Sequence, residues 1–228
     1  MLQIDKSISF KDLSPQLDAL WELSGQKILS IEKEYDRSKG SPVFTSAGKY
    51  TTRGWTEWTQ GFEYGSSALQ FDASGNEQFL ELARNNTLEK MAPHVTHFGV
   101  HDHGFNNVST YGNLLRQLLA GQFEGTGWET DFYRLALKLS GASQARRWTN
   151  IKGGGGFIYS FNGPHSLFVD TIRSCRSLAV SYLLGHKYMD EGDKEISLIG
   201  RLLNHAISTA KHSVYYGEGR DQYDTEAG

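Results

Sequence analysis

Apolar residues recur at helical spacing along most of the chain, and three times an apolar helix runs into a glycine-containing turn followed by an acidic, amphipathic helix. The turns centre on Gly75, Gly127 and Gly192, roughly 50 to 65 residues apart, which is about one helix hairpin per unit. A hairpin of that size cannot bury its apolar face alone and must stack on its neighbours. The repeat therefore predicts an all-α protein, either an α-solenoid or a closed α/α toroid. Predicted helices cover 13–33, 57–71, a run opened by the turn at 72–76 and striped with Phe79, Leu80, Leu82 and Ala83, then 109–119, 128–139, 169–184 and 196–211. In the first of these, Leu17, Leu20, Trp21, Ile28 and Ile31 share one face. Residues 37–56, polar and rich in Gly, Ser and Thr, read as a long loop, and 157–161 as a short extended piece. Gly61 and Gly65, early in their helix, leave room for another part of the molecule to approach the backbone.

Composition narrows the function classes. With 23 Lys and Arg against 26 Asp and Glu, the chain offers no broad basic face for nucleic acid. The lone Cys175 excludes an internal disulfide and a cysteine-based zinc site. Residues 1–6 lack the apolar core of a signal peptide and no run is long enough to span a membrane, so the expectation is a cytoplasmic protein. The 25 Gly and 12% aromatic residues suit a cleft in which flat rings face a sugar, although any one of these rings could equally be packing.

Three stretches carry possible chemistry. The first holds four His and one Asp between His94 and His103: His94, His97, His101, Asp102 and His103. Imidazole and carboxylate suit zinc or iron, but there is no HExxH pair, and Pro93, Gly99 and Gly104 predict a loop rather than a helical ligand face. The other reading has His101 and Asp102 acting together on a polar substrate. The second is Phe168-Val169-Asp170-Thr171-Ile172, with a carboxylate at a helix start. Asp170 is either a plain helix cap or one of two carboxylates that divide acid and base roles with Asp102. The third, residues 53–62, places Trp55 and Trp58 beside small residues at a loop-to-helix boundary, as a stacking platform or as core. The four-glycine run at 153–156 lacks the Lys-Ser or Lys-Thr of a phosphate loop, and no Gly-x-Ser-x-Gly elbow occurs.

Taken in order, Trp58-Thr59-Gln60-Gly61-Phe62 with Gly65, His101-Asp102-His103-Gly104-Phe105 and Val169-Asp170 resemble the unsaturated glucuronyl hydrolases, glycoside hydrolase family 88. The likeness covers about residues 50 to 215. It implies an (α/α)6 toroid acting on oligosaccharides left by polysaccharide lyases, whose terminal uronic acid carries a C4=C5 double bond. Such an enzyme hydrates that bond and the linked sugar is then released. Asp170 matches the general acid/base and Asp102 the second carboxylate, while His101 and Trp58 match substrate contacts. Phe161 stands where the family commonly has Trp, and Arg173-Ser174 where it often has Asn. No cofactor or metal is expected. Residues that hold the uronate carboxylate and the water would follow Gly228. The expectation is thus a single toroid catalytic domain of which residues 1–228 form the N-terminal portion, about half a ring, whose activity depends on the remainder. The alternatives at this point are another α/α-toroid carbohydrate enzyme, such as an unsaturated rhamnogalacturonyl hydrolase or a uronidase, and a non-catalytic sugar-binding fragment.

Overall fold

A computed structural model of the chain describes residues 6, 7, 9–52 and 57–214. Helix dominates, in keeping with the periodicity: α1 (Phe10–Glu34), α2 (Gln60–Ser74), α3 (Glu77–Lys90), the short α4 (Ala92–Val95), a π-helical segment (Gly104–Gly112) continuing into α5 (Asn113–Leu119), α6 (Gly127–Arg146), α7 (Thr171–Ser174), α8 (Arg176–Leu183) and α9 (Leu198–Ser213). Trp55 and its neighbours at 53–56, and the polar tail at 220–228, lie outside the described residues.

Local chemistry sets the helix ends. α2 stops at Gly75, which takes the left-handed conformation (φ 64°) and donates its N–H to the Phe71 carbonyl at 2.8 Å. One residue later the Asn76 side chain accepts from Gln78 N at 3.0 Å and opens α3. At α6, the Glu129 carboxylate reaches back to Thr126 N at 2.9 Å in a capping box. α1 begins at Phe10, three residues before the predicted start, because Ser9 and Asp12 form a capping box there. Pro15 consequently sits inside the helix.

Three antiparallel two-stranded hairpins depart from the all-helical expectation: β1 (Phe44–Ser46) with β2 (Lys49–Thr51), β3 (Trp148–Asn150) with β4 (Gly156–Ile158), and β5 (Tyr188–Asp190) with β6 (Lys194–Ile196). The first corrects the reading of 37–56 as loop throughout. It turns on Ala47 and Gly48, both at positive φ, and three-residue strands are too short to leave an alternation in the sequence.

Packing links the helices along the chain, α1 on α2, α2 on α3 and on the π-helical segment, that segment on α6, α6 on α8, and α8 on α9, with α3–α4 and α7 stepped over. The larger core cluster joins Tyr64 and Phe71 of α2, Phe79 and Leu80 of α3, Leu114 of α5, and Tyr133 and Leu137 of α6. Each such side chain, buried, contributes about 1.5–3 kcal/mol. A second cluster gathers Ala145, Ile158, Cys175, Leu178 and Leu198 around the β3–β4 hairpin. The predicted face of α1 is only partly used. Ile28 packs on the larger cluster, but Leu17 is 41% and Leu20 53% exposed.

Two glycines of α2 bring it close against the π-helical segment. A Cβ at Gly61 would stand 2.1 Å from the Phe105 carbonyl oxygen, and one at Gly65 2.4 Å from that of Ser109. Both obstacles are backbone and cannot swing aside. Gly61→Ala is therefore expected to cost about 3 kcal/mol or more, seen as a fall of roughly 6–12 °C in Tm for a chain of this size. An unchanged melting curve would show that the two segments can separate without loss.

Candidate active site

The loops that follow these elements converge on one cavity of about 390 Å³ lined by Trp58, His101, Asp102, Phe161, Phe168 and Asp170. All five site residues predicted from the sequence are among the six. Trp58 comes from the 3₁₀ turn before α2, His101 and Asp102 from the turn before the π-helical segment, and Phe161, Phe168 and Asp170 from the loop between β4 and α7. Three rings on the rim remain open: Trp58 is 40% exposed, Phe161 42% and Phe168 40%. Exposed aromatic faces around a polar floor are the arrangement that a sugar ring can stack on.

His101 is the hub. Its ring is 1% exposed and lies parallel to Phe161, with centroids 5.7 Å apart and planes at 16°, while Phe168 meets it edge-on at 6.0 Å. The Phe161 backbone N–H donates to Nδ1 at 3.3 Å. A peptide N–H can only donate, so Nδ1 must be unprotonated and the imidazole hydrogen sits on Nε2. Nε2 donates it to Asp170 Oδ1 at 3.0 Å, and Asp102 Oδ1 is 3.8 Å from the same nitrogen, outside hydrogen-bond range.

The two carboxyls therefore differ in environment. Asp102 is 5% exposed, and burial pushes its pKa above the usual carboxylate range, with the nearby Asp170 charge adding to the effect while His101 opposes it. Asp170 is 23% exposed, and its second oxygen stands 3.7 Å from Arg173 Nη2. Of the two readings left open for Asp170, the helix cap is not the one adopted. The residue has helical dihedrals (φ −71°, ψ −19°) and its side chain makes no cap hydrogen bond.

Two residues that sequence reasoning passed over hold this geometry. Arg147, 4% exposed just past the end of α6, donates to the Phe98 carbonyl, to Tyr159 O at 3.1 Å and to Ser160 O at 2.8 Å. It thus ties the turn leading to His101 to the segment that runs from β4 to Phe161. Ser174 Oγ accepts from Gly104 N at 2.7 Å, fastening α7 to the start of the π-helical segment, where a Cβ on Gly104 would stand 2.5 Å from the Ser174 carbonyl oxygen. Nothing in Arg146-Arg147 marks the second as buried, because basic residues are common in a last helical turn. Phe168 had a signal, its place two residues before Asp170.

The other histidines of the 94–103 stretch are not among the residues lining the cavity. His94 lies in α4 rather than in a loop, since Pro93 occupies a first-turn position where no N–H is needed. Its ring bonds Gln60 Oε1 at 2.6 Å and Asn106 Nδ2 at 2.9 Å. His103 donates Nε2–H to the His97 carbonyl at 3.0 Å and meets Ser140 Oγ through Nδ1 at 3.1 Å. Among the described residues, no three His, Cys, Asp or Glu side chains converge in a metal-holding group.

These buried rings make stability depend on pH. Burial lowers the His103 pKa from 6.5 to about 3, and that of His205, whose Nδ1 accepts from Ile158 N at 3.1 Å, to about 4. A base whose folded pKa is depressed contributes fully above its unfolded value near 6.5 and loses that contribution as pH falls towards the folded value. Each ring is expected to remove up to about 1.4 kcal/mol per pH unit below 6.5. Asp102, raised rather than lowered, runs the other way and favours the fold as pH drops. Melting temperature measured from pH 8 to 4 should decline below pH 6.5, less steeply in His205→Gln. A flat profile in the parent would mean that the rings protonate in place.

No helix among the described residues is long and apolar enough to cross a membrane. The chain matches no family model, no curated protein and no solved structure.

Proposed function

We propose that the protein is a glycoside hydrolase of the unsaturated uronyl type, related to glycoside hydrolase family 88, which hydrates the C4=C5 bond of a terminal unsaturated uronic acid on lyase-derived oligosaccharides. The observation that carries the reading is the His101 imidazole, fixed by the Phe161 N–H and set between Asp170 and Asp102 on the floor of an aromatic-walled cavity. Helix-on-helix packing from α1 through to α9 supports a hairpin toroid as the architecture.

In this scheme Trp58 and Phe161 hold the sugar by its faces. Asp170 delivers a proton to C4 while the C4=C5 pair forms the new C4–H bond, and the positive charge that develops at C5 is shared with the ring oxygen. Water adds at C5, giving its proton to Asp170, so one water enters and the carboxyl is restored. The hemiketal formed at C5 then opens and the linked sugar leaves. The His101 hydrogen bond keeps Oδ1 of Asp170 in place through both proton transfers. Asp102 orients the water, and because burial disfavours its charge it repels the substrate's own carboxylate less than an exposed aspartate would.

A paired comparison tests this. The protein, offered an unsaturated uronyl disaccharide, should remove the absorbance of the double bond and leave the saturated disaccharide intact. Cleavage of the saturated sugar instead would make it an ordinary uronidase, and binding of either without turnover would make it a sugar-binding protein.

A further inference from the structure

α1 is longer than the helix it packs on. Its 25 residues against the 15 of α2 leave an excess of about 15 Å at 1.5 Å per residue. The C-terminal half is the part that reaches the body. There the Trp21 carbonyl accepts from Gln70 Nε2 at 3.0 Å, Gly25 is buried beside Phe79 and Gln70, and Ile28 packs on the larger core cluster. Every residue from Phe10 to Leu20, by contrast, is exposed. This overhang is apolar along one face. Phe10 (89% exposed), Leu13 (41%), Leu17 and Leu20 follow one another at spacings of three, four and three, the spacing of a seam between paired helices. The stripe is the same one that Ile28 and Ile31 carry into the body, while the opposite face holds Lys11, Pro15, Asp18 and Glu22.

Three turns of helix without tertiary contact gain little stability of their own, since isolated helices below about 12–15 residues are marginal in water. The Ser9–Asp12 capping box fixes the first turn but covers none of the stripe. The spacing itself identifies what does. Three-four-three reads the same from either end, so a second copy laid antiparallel sets Phe10 on the partner's Leu20 and Leu13 on the partner's Leu17, and the two-fold axis repeats both contacts. With the flanking Leu23, 54% exposed, each copy offers roughly 400–500 Å² of apolar surface. A standard interface buries about 800 Å² per partner, of which about 450 Å² is apolar. The strip therefore suffices for a specific dimer. We infer that the protein pairs with a second copy of itself through an antiparallel seam formed by the overhanging first three turns of α1.

Sedimentation equilibrium of the 228-residue protein tests this. The parent should pass from the chain mass of 25.5 kDa at about 1 µM to twice that mass at about 100 µM, the weak end of the range that interfaces of this size span. Leu17→Lys sets an unpaired charge against the partner's Leu13 and should weaken pairing at least about 100-fold. Leu13→Lys and Leu17→Glu, each alone, should do the same. Mixed in equal amounts, Leu13→Lys and Leu17→Glu should pair again, because an antiparallel seam places the introduced lysine opposite the introduced glutamate and a parallel one does not. Recovery on mixing also shows that both variants are folded. Glu22→Lys, on the outer face, should dimerise as the parent does. A parent that stays at 25.5 kDa at about 100 µM, or a Leu17→Lys protein that dimerises like it, overturns the inference. Co-sedimentation of a monomeric parent with phosphatidylserine-containing vesicles would overturn it in favour of a membrane surface. Dimerisation of the parent without recovery in the mixture overturns the antiparallel seam.

Discussion

Asp170→Asn should reduce turnover of an unsaturated uronyl disaccharide by about 10³-fold or more, within the range of about 10²–10⁴ attributed to a positioned general acid or base. The exchange keeps the shape, and the amide oxygen can still accept from His101 Nε2, which lies 3.0 Å from Oδ1. What disappears is the group that releases and recovers a proton. Binding of the disaccharide should therefore change by no more than a few-fold, and the melting temperature should remain within about 2 °C, as for a substitution that creates neither a cavity nor an unmet buried group. A loss confined to KM would mean that Asp170 contributes to binding alone. Retention of the parent rate would remove it from the chemistry and return the proton transfers to Asp102.

The second large effect is expected at Arg147, which is not among the residues lining the cavity. Its guanidinium is the donor for the carbonyls of Phe98, Tyr159 and Ser160, and its own charge is disfavoured by burial, which lowers its pKa. Arg147→Met fills similar space but leaves those carbonyls unmet, at about 1–3 kcal/mol for each one that water cannot reach. A total loss of roughly 3–5 kcal/mol is expected, with a fall in Tm of about 10 °C. The two loops it joins carry His101 and Phe161, so disaccharide binding should weaken as well. Arg147→Lys separates charge from geometry. A single ammonium cannot serve three carbonyls held by a planar fork, so lysine should recover only a minor part of the loss. Full recovery by lysine would reduce the role of Arg147 to its charge.

The contrast between these two residues indicates how far the sequence could be read. Asp170, Asp102, His101 and Trp58 were picked out because each belongs to a short motif, and Phe161 through the resemblance those ordered motifs suggested; the structure brings all five to one cavity. Whether they met was not legible. Their convergence depends on contacts such as Gly61 against Phe105, Gly104 against Ser174 and Arg147 against three carbonyls, which are backbone matters with weak local signals. The helices bounded by strong punctuation, α2 to Gly75 and α3 from Asn76, were readable to within a few residues. A helix was expected to begin only at Ser109, but helical backbone begins at Gly104 as a π-helical segment, where the Asn106 and Asn107 side chains bond Gly61 N and the His94 carbonyl and hold the backbone. Insertions of this kind favour functional sites, here one residue past His103. Of the hairpins only β4 was anticipated, as part of the extended piece at 157–161; the other strands were missed because each is three residues long. The exposed Leu17 and Leu20 show the opposite failure, in which a helical stripe is correctly read and yet left uncovered among the described residues.

The state of His101 holds the account together, and nitrogen-15 magnetic resonance of the imidazole reads it directly. Spectra recorded near neutral pH, with and without an unsaturated uronyl disaccharide, should show Nδ1 unprotonated and the hydrogen on Nε2. Adding the disaccharide should shift both His101 nitrogens and leave those of His103 and His205 in place. A hydrogen on Nδ1, or a disaccharide that binds while the His101 signals stay unmoved, would contradict the proposed site.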